Sequence, residues 1–219
     1  MMLLIALALA TQSASSVKTG LTSAAATTVK SDPATYDLAG FRLGMSEAEV
    51  EAVMKARGLK VVRAHRAPDF GNQVTSLMNM RGAAVRDKKR DVLGAVVLDD
   101  GSGGRVSLKM LTWPDGARVS GITFLPPRGT SAEAWKSMLA GKYGPAADGG
   151  GRIDSSGLHA SWCGKASCLG GVGVFLMSAE VGAAGGSINL RQPDGSSRQV
   201  KALIEAEADR RSPKSAPRL

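Results

Sequence analysis

The chain has 219 residues, a formal net charge of +9, 27 glycines and aromatic side chains at only 4% of positions. Its length fits one domain or two small ones, with a core that small and branched apolar side chains must fill because large rings are scarce. The first and cleanest apolar run, Leu3 to Ala10, is far shorter than the about 20 residues that cross a bilayer, which excludes a helical membrane span.

In chain order, residues 1–16 come first as a signal peptide. The apolar run leads into Ser13-Ala14-Ser15-Ser16, small residues that a signal peptidase cuts, although only the terminal amine supplies positive charge ahead of it. No cysteine follows for lipid attachment, so the expectation is a soluble mature chain, periplasmic or secreted. Residues 17–35 are rich in Ser, Thr and Ala and read as a disordered linker. Structure is expected from Tyr36 onward.

Ser46-Glu47-Ala48-Glu49 is a capping box and opens a helix. Met45 and Val50 occupy staple positions, Val50, Val53 and Met54 form an apolar stripe, and Gly58 ends the helix. The apolar period then changes to two. Leu59 to Ala64, Val74 to Met80 and Val92 to Leu98 are predicted as short strands. A hairpin follows, in which Val106 to Trp113 and Ala117 to Phe124 flank the turn residues Pro114-Asp115-Gly116.

A second helix begins at Thr130 or Ser131, with Trp135, Met138 and Leu139 on one face, and breaks at Gly144-Pro145. Strands are predicted again at 157–163, 172–180 and 186–191. A last helix after Ser197 shows Val200, Leu203 and Ile204 on its apolar face and pairs Glu207 with Arg211. The fold class is α+β, with an antiparallel sheet or sheets and two or three amphipathic helices. The divisions are 36–127 for a first half, 128–211 for a second half with the C-terminal helix, and 212–219 for a tail. Aligning Ser46 with Ser131 superposes the two helical stripes, as two similar halves would, whereas the capping pair Thr130 and Glu133 argues for a register one residue earlier. The competing explanation is that any two amphipathic helices share such a stripe.

Gly40-Phe41-Arg42-Leu43-Gly44-Met45-Ser46, followed by Glu49-Val50 and Gly58, resembles the Gly-Met-Ser/Thr opening of the first helix in BamE/SmpA-type outer-membrane assembly proteins. The tandem order of helix and small sheet is similar to that of β-lactamase-inhibitor proteins. Both resemblances imply a periplasmic or secreted module that binds another protein through its sheet face or loops without catalysis. The chain departs from these families in lacking a lipid-attachment cysteine and a Leu-Gly-x-Pro after the first helix, and in having extra strands. No functional residue carries over.

Cys163 and Cys168 are expected to form a structural disulfide, because four intervening residues let a hairpin bring the sulfurs together and an exported chain meets oxidants. The alternative is a thiolate nucleophile with His159 as base and Lys165 lowering the thiol pKa. Four residues of strand put His159 about 13 Å from Cys163, beyond proton transfer.

His65 and His159 stand far apart in sequence without flanking carboxylate pairs, so no metal site and no cofactor is expected. Asp99 to Gly104 lacks the twelve-position calcium pattern and reads as a polar hairpin loop. The glycine-rich stretches 149–151 and 170–173 match no nucleotide-binding spacing and read as turns.

Arg81, Arg86, Lys88, Lys89 and Arg90 form the strongest charge cluster and the candidate anion-binding segment. Without stacking aromatics around it, nucleic acid is not the expected partner. Trp113, at a hairpin end, is the candidate protein-binding anchor. Trp135 is expected in the core and Trp162 against the disulfide.

The functional expectation is an exported envelope protein acting as a non-catalytic binding, assembly or inhibitor module for an envelope or extracellular protein. The alternatives are a secreted thiol or hydrolase-type enzyme, and a charge-driven binder of an anionic polymer or lipid surface.

Overall fold

The computed structural model describes residues 32–86, 90–168 and 174–211. The signal and most of the linker segment, Lys88 and Lys89, the glycines at 170–173 and the tail from 212 lie outside the described residues. Asp32 caps a short 3-10 turn, Pro33–Thr35, and Tyr36 is already buried.

Helix α1 (Glu47–Arg57) starts at the expected capping box. The Ser46 hydroxyl accepts from the Glu49 amide at 3.3 Å while the Glu49 carboxylate accepts from the Ser46 amide at 2.7 Å. Gly58 ends the helix at φ 63°, ψ 28°, a left-handed position that glycine occupies without a Cβ clash. Strand β1 (Lys60–Pro68) follows.

The segment predicted as a strand from Val74 to Met80 is instead part of helix α2 (Phe70–Met80). Asp69 caps it, accepting from the Asn72 amide at 2.8 Å. Val74 and Met78, four apart, share one helical face, so the same apolar residues that look strand-like satisfy the helical period.

The next elements are β2 (Asp91–Asp99), β3 (Arg105–Trp113) and β4 (Gly116–Leu125). The predicted hairpin is present, with Trp113 paired to Gly116 across Pro114 and Asp115. Ser131 caps α3 (Ala132–Tyr143), accepting from the Ala134 amide at 3.2 Å. Its buried line runs through Ala132, Leu139 and Tyr143, with Trp135 partly buried. Met138, expected on that face, falls to one side and is 49% exposed.

A single turn, α4 (Ala147–Gly150), precedes β5 (Arg152–Asp154), β6 (Gly157–Trp162), β7 (Leu176–Gly182) and β8 (Gly185–Arg191). Helix α5 (Gly195–Arg211) closes the described chain. Val200 and Ala208 are buried along it, whereas Leu203, expected on the apolar face, is 36% exposed because it lies off that i, i+4 line.

The eight strands form one sheet in the order β1-β2-β3-β4-β8-β7-β6-β5, and every pairing is antiparallel. Strands β4 and β8 join in the middle, with Ile122 opposite Leu190. The fold is therefore mixed α+β. Alternate residues of β2, β3, β4, β6, β7 and β8 face inward, among them Leu98, Leu108, Ile122, Leu158, Met177 and Ile188, and form one cluster with Val50 of α1 and Leu139 of α3.

Phe41, fully buried, anchors the segment before α1 in that cluster. Tyr36 and Tyr143 stack at 4.6 Å between ring centroids, and the Tyr143 hydroxyl donates to the Asp37 carbonyl at 2.6 Å. Burial pushes the Tyr143 phenol well above its ordinary pKa.

Helices α2 and α5 build a separate, smaller cluster from Val74, Met78 and Ala208, tied by an ion pair of 2.5 Å from Arg81 to Asp209. Two layers of helix thus flank the sheet. Helices α1 and α3 cover the inner face, and the α2–α5 pair lies toward the outer face, where Ser196 and Ser197 border the same groove as the outward residues of β3. Among the described residues no helix is long and apolar enough to cross a membrane.

Candidate functional site

The outward residues of the central strands mix small hydroxyl and amide side chains with a few larger ones. On β3 the alternation places Ser107, Lys109, Leu111 and Trp113 outward, since Val106, Leu108, Met110 and Thr112 are buried. Neighbouring strands add Thr123 from β4, Asn189 and Arg191 from β8 and Ser178 from β7 to the lining of one groove of about 690 Å³. Its far wall is the start of α5.

Ser120 occupies a bulge in β4, where two residues oppose one on β3. Its hydroxyl donates to the Lys109 carbonyl at 3.1 Å, and its own carbonyl accepts from the Gln192 amide at 3.0 Å. Across the floor, the Thr123 hydroxyl donates to the Asn189 carboxamide at 2.8 Å, and Asn189 donates on to Ser187 at 3.1 Å. Arg191 pairs with Asp194 at 3.4 Å. The buried side-chain carbonyl of Gln192 has no donor among the described residues. The groove therefore offers hydroxyls and amides on a rigid sheet, with apolar Leu111 and Leu176, the cation Lys109 and the Arg191–Asp194 pair among its lining residues.

A second cleft of about 260 Å³ adjoins the groove at Ser178 and includes His159, Ser161 and Glu180. Beside it lies a Ser-His-Asp cluster. Ser156 Oγ is 2.8 Å from His159 Nε2, and the same Nε2 is 3.3 Å from Asp154 Oδ1. A catalytic triad needs the carboxylate on the opposite ring nitrogen, to hold the tautomer that accepts the serine proton. Here the Ser156 hydroxyl and amide both reach Asp154, at 2.6 and 2.9 Å, and close a tight turn before β6. These serine bonds, with help from the His159 and Arg152 charges, hold the Asp154 carboxyl down to about 2. The cluster is a turn lock, and its geometry does not activate a nucleophile.

Cys163 and Cys168 are bonded to each other, with Cα atoms 5.8 Å apart. His159 Nε2 faces Asp154 and Ser156 rather than the sulfur. The disulfide loop reaches the α4 turn, where the Ala166 carbonyl accepts from the Asp148 amide at 2.8 Å. Trp162, buried beside Cys163, donates to the Gly144 carbonyl at 3.0 Å.

Trp113 is half-buried, two residues on from Leu111 and on the same sheet face as the groove. The basic segment is split between roles. Arg81 caps α2 and pairs with Asp209, whereas Arg86 and Arg90 are exposed. Asp100 in the β2–β3 loop accepts from the Ser102 and Gly104 amides at 2.8 and 3.1 Å, the polar loop that its sequence suggests. Among the described residues no group of three or more His, Cys, Asp or Glu side chains is placed to hold a metal ion.

No family model, curated protein or solved structure matches this chain. The outward face of the sheet had no signature in the sequence beyond its alternation. Ser107, Thr123, Ser178 and Asn189 lie up to about 80 residues apart along the chain and meet only because β4 pairs with β8.

Proposed function

We propose that this chain is an exported, non-catalytic protein-binding module whose partner docks on the outer face of the sheet. The observation that carries the reading is the groove of about 690 Å³ on the central strands, floored by hydroxyls and amides and leading along β3 toward Trp113. Rigid strands present such a surface with little conformational cost on binding, and a half-buried indole two residues beyond Leu111 on the same sheet face is a favourable anchor. The bonded cysteine pair suits an oxidising compartment.

Two similar halves are part of the proposal. A capped helix and four antiparallel strands occur twice in chain order, the first run interrupted by α2 between β1 and β2, with the runs meeting at β4 and β8 and with Ser46 and Ser131 as equivalent caps. The resemblance to BamE/SmpA-type and β-lactamase-inhibitor proteins points the same way, toward a module that works by binding.

Affinity capture from detergent-solubilised envelope extract, with the chain from Tyr36 onward as bait, tests the reading at low salt and at about 0.5 M, where charge screening shortens to a few ångströms. The expected result is one discrete protein at both salts, lost when Ser178→Arg fills the groove. A second reading rests on the exposed cations Arg86 and Arg90 and holds that the chain adheres to an anionic polymer or lipid surface. That reading predicts a heterogeneous haul that disappears at high salt and does not respond to Ser178→Arg.

A further inference from the structure

On the opposite side of the molecule, the helix layer over the inner sheet face is incomplete. Between the end of α1 and α3 it leaves a cleft of about 210 Å³. Leu59, Val106, Phe124, Leu139 and Ile188 give it apolar walls, and the exposed Met138 extends that surface outward.

Two cations also line the cleft with Asp100: Arg57, which donates one hydrogen bond to the Ala39 carbonyl, and Lys142. The acids nearest them are already engaged: Asp100 accepts two backbone amides as described, and Asp37 accepts the Gly40 amide at 2.9 Å beside its long contact of 3.4 Å with Lys142. Asp100 is the one carboxylate among the lining residues and faces two cations, which leaves the mouth net positive toward a further anion. Trp135 adds a second observation. Its indole N–H is buried with no acceptor among the described residues, the condition found where a site lacks a polar group that completes it.

We infer that this cleft binds a medium-chain carboxylate amphiphile, with the tail between α1 and α3 and the carboxylate toward Arg57 and Lys142. The cleft has the volume of about seven waters at about 30 Å³ each, room for a short alkyl tail, for which octanoate is the probe. The apolar walls supply the driving force and the cations select the head group. This site is separate from the sheet groove and does not depend on it.

The test is calorimetric titration of the protein with octanoate, octanol and octyltrimethylammonium. Octanoate binds one-to-one and more tightly than octanol, and the ammonium analogue does not bind. Lys142→Glu weakens octanoate about tenfold, and Met138→Trp, which plugs the mouth, abolishes binding. Both substituted side chains are exposed, so circular dichroism should report an unchanged fold, and Ser178→Arg in the sheet groove leaves octanoate binding intact. Equal binding of octanoate and octanol overturns the head-group assignment. Absence of octanoate heat at millimolar concentration overturns the site, as does binding that Met138→Trp leaves unchanged. A dimer in sedimentation that Met138→Trp dissociates, without octanoate binding, would make a second copy of this chain the occupant and would equally overturn it.

Discussion

Single side chains divide sharply by depth in this protein, and that division can be measured. Phe41 is fully buried before α1, so Phe41→Ala should cost about 3–5 kcal/mol in urea unfolding, from lost transfer energy and the cavity left behind. Met138 carries the same apolar character on the helix surface, and Met138→Ala should stay within about 0.5 kcal/mol. Equal losses at the two positions would contradict the placement of Met138 beside the buried line of α3.

Near the C-terminus, Arg210 and then Arg211 hold the Glu207 carboxyl down to about 2 from an ordinary 4.5. A carboxyl depressed on folding stabilises fully above its unfolded pKa, and that contribution drains away as pH falls from about 4.5 toward 2. Melting curves of the native chain and Glu207→Gln should therefore converge on acidification across that window. The gap at neutral pH stays small, because the pair is exposed to solvent.

At the scale of elements, local signals decided what the sequence revealed. The Ser46-Glu49 capping box and the Pro114-Asp115 turn act through bonds between near neighbours, and both are present as their residues suggest. Residues 74–80 deceived because Val74 and Met78, four apart, suit either period, and the tie-breaker is a cap outside that run. Asp69→Ala should thus cost about 1 kcal/mol and raise hydrogen exchange through the first turn of α2, whereas a strand there would feel no such change.

Strand β5 escaped notice because three residues are too short for any periodic signal. The disulfide was legible from spacing and compartment together. Replacing both Cys163 and Cys168 by Ser should remove about 2 kcal/mol through the short closed loop, while partner capture persists. Loss of capture from a folded variant would instead place the loop in the binding surface.

Across the whole molecule, the decisive event is the pairing of β4 with β8, which turns two four-stranded runs into one sheet with a shared core. Strands some 65 residues apart leave no local mark of that choice, so the outer groove was invisible in the sequence although each of its residues was in plain view. Trp113 was picked out as a hairpin-end indole, and the fold adds that it shares its sheet face with the groove. Of the basic segment, Arg81 is largely committed to holding α2 against α5. The electrostatic reading therefore rests, among the described residues of that segment, on Arg86 and Arg90.

The outer-face account is tested most directly by photo-crosslinking in envelope extract, with the reactive residue placed at Ser178 in the groove or at the exposed Glu51 on α1. A discrete protein adduct from position 178 and none from position 51, at low and high salt alike, is the result predicted for a partner seated on the sheet. An adduct from position 51 alone, or none from either, would contradict it.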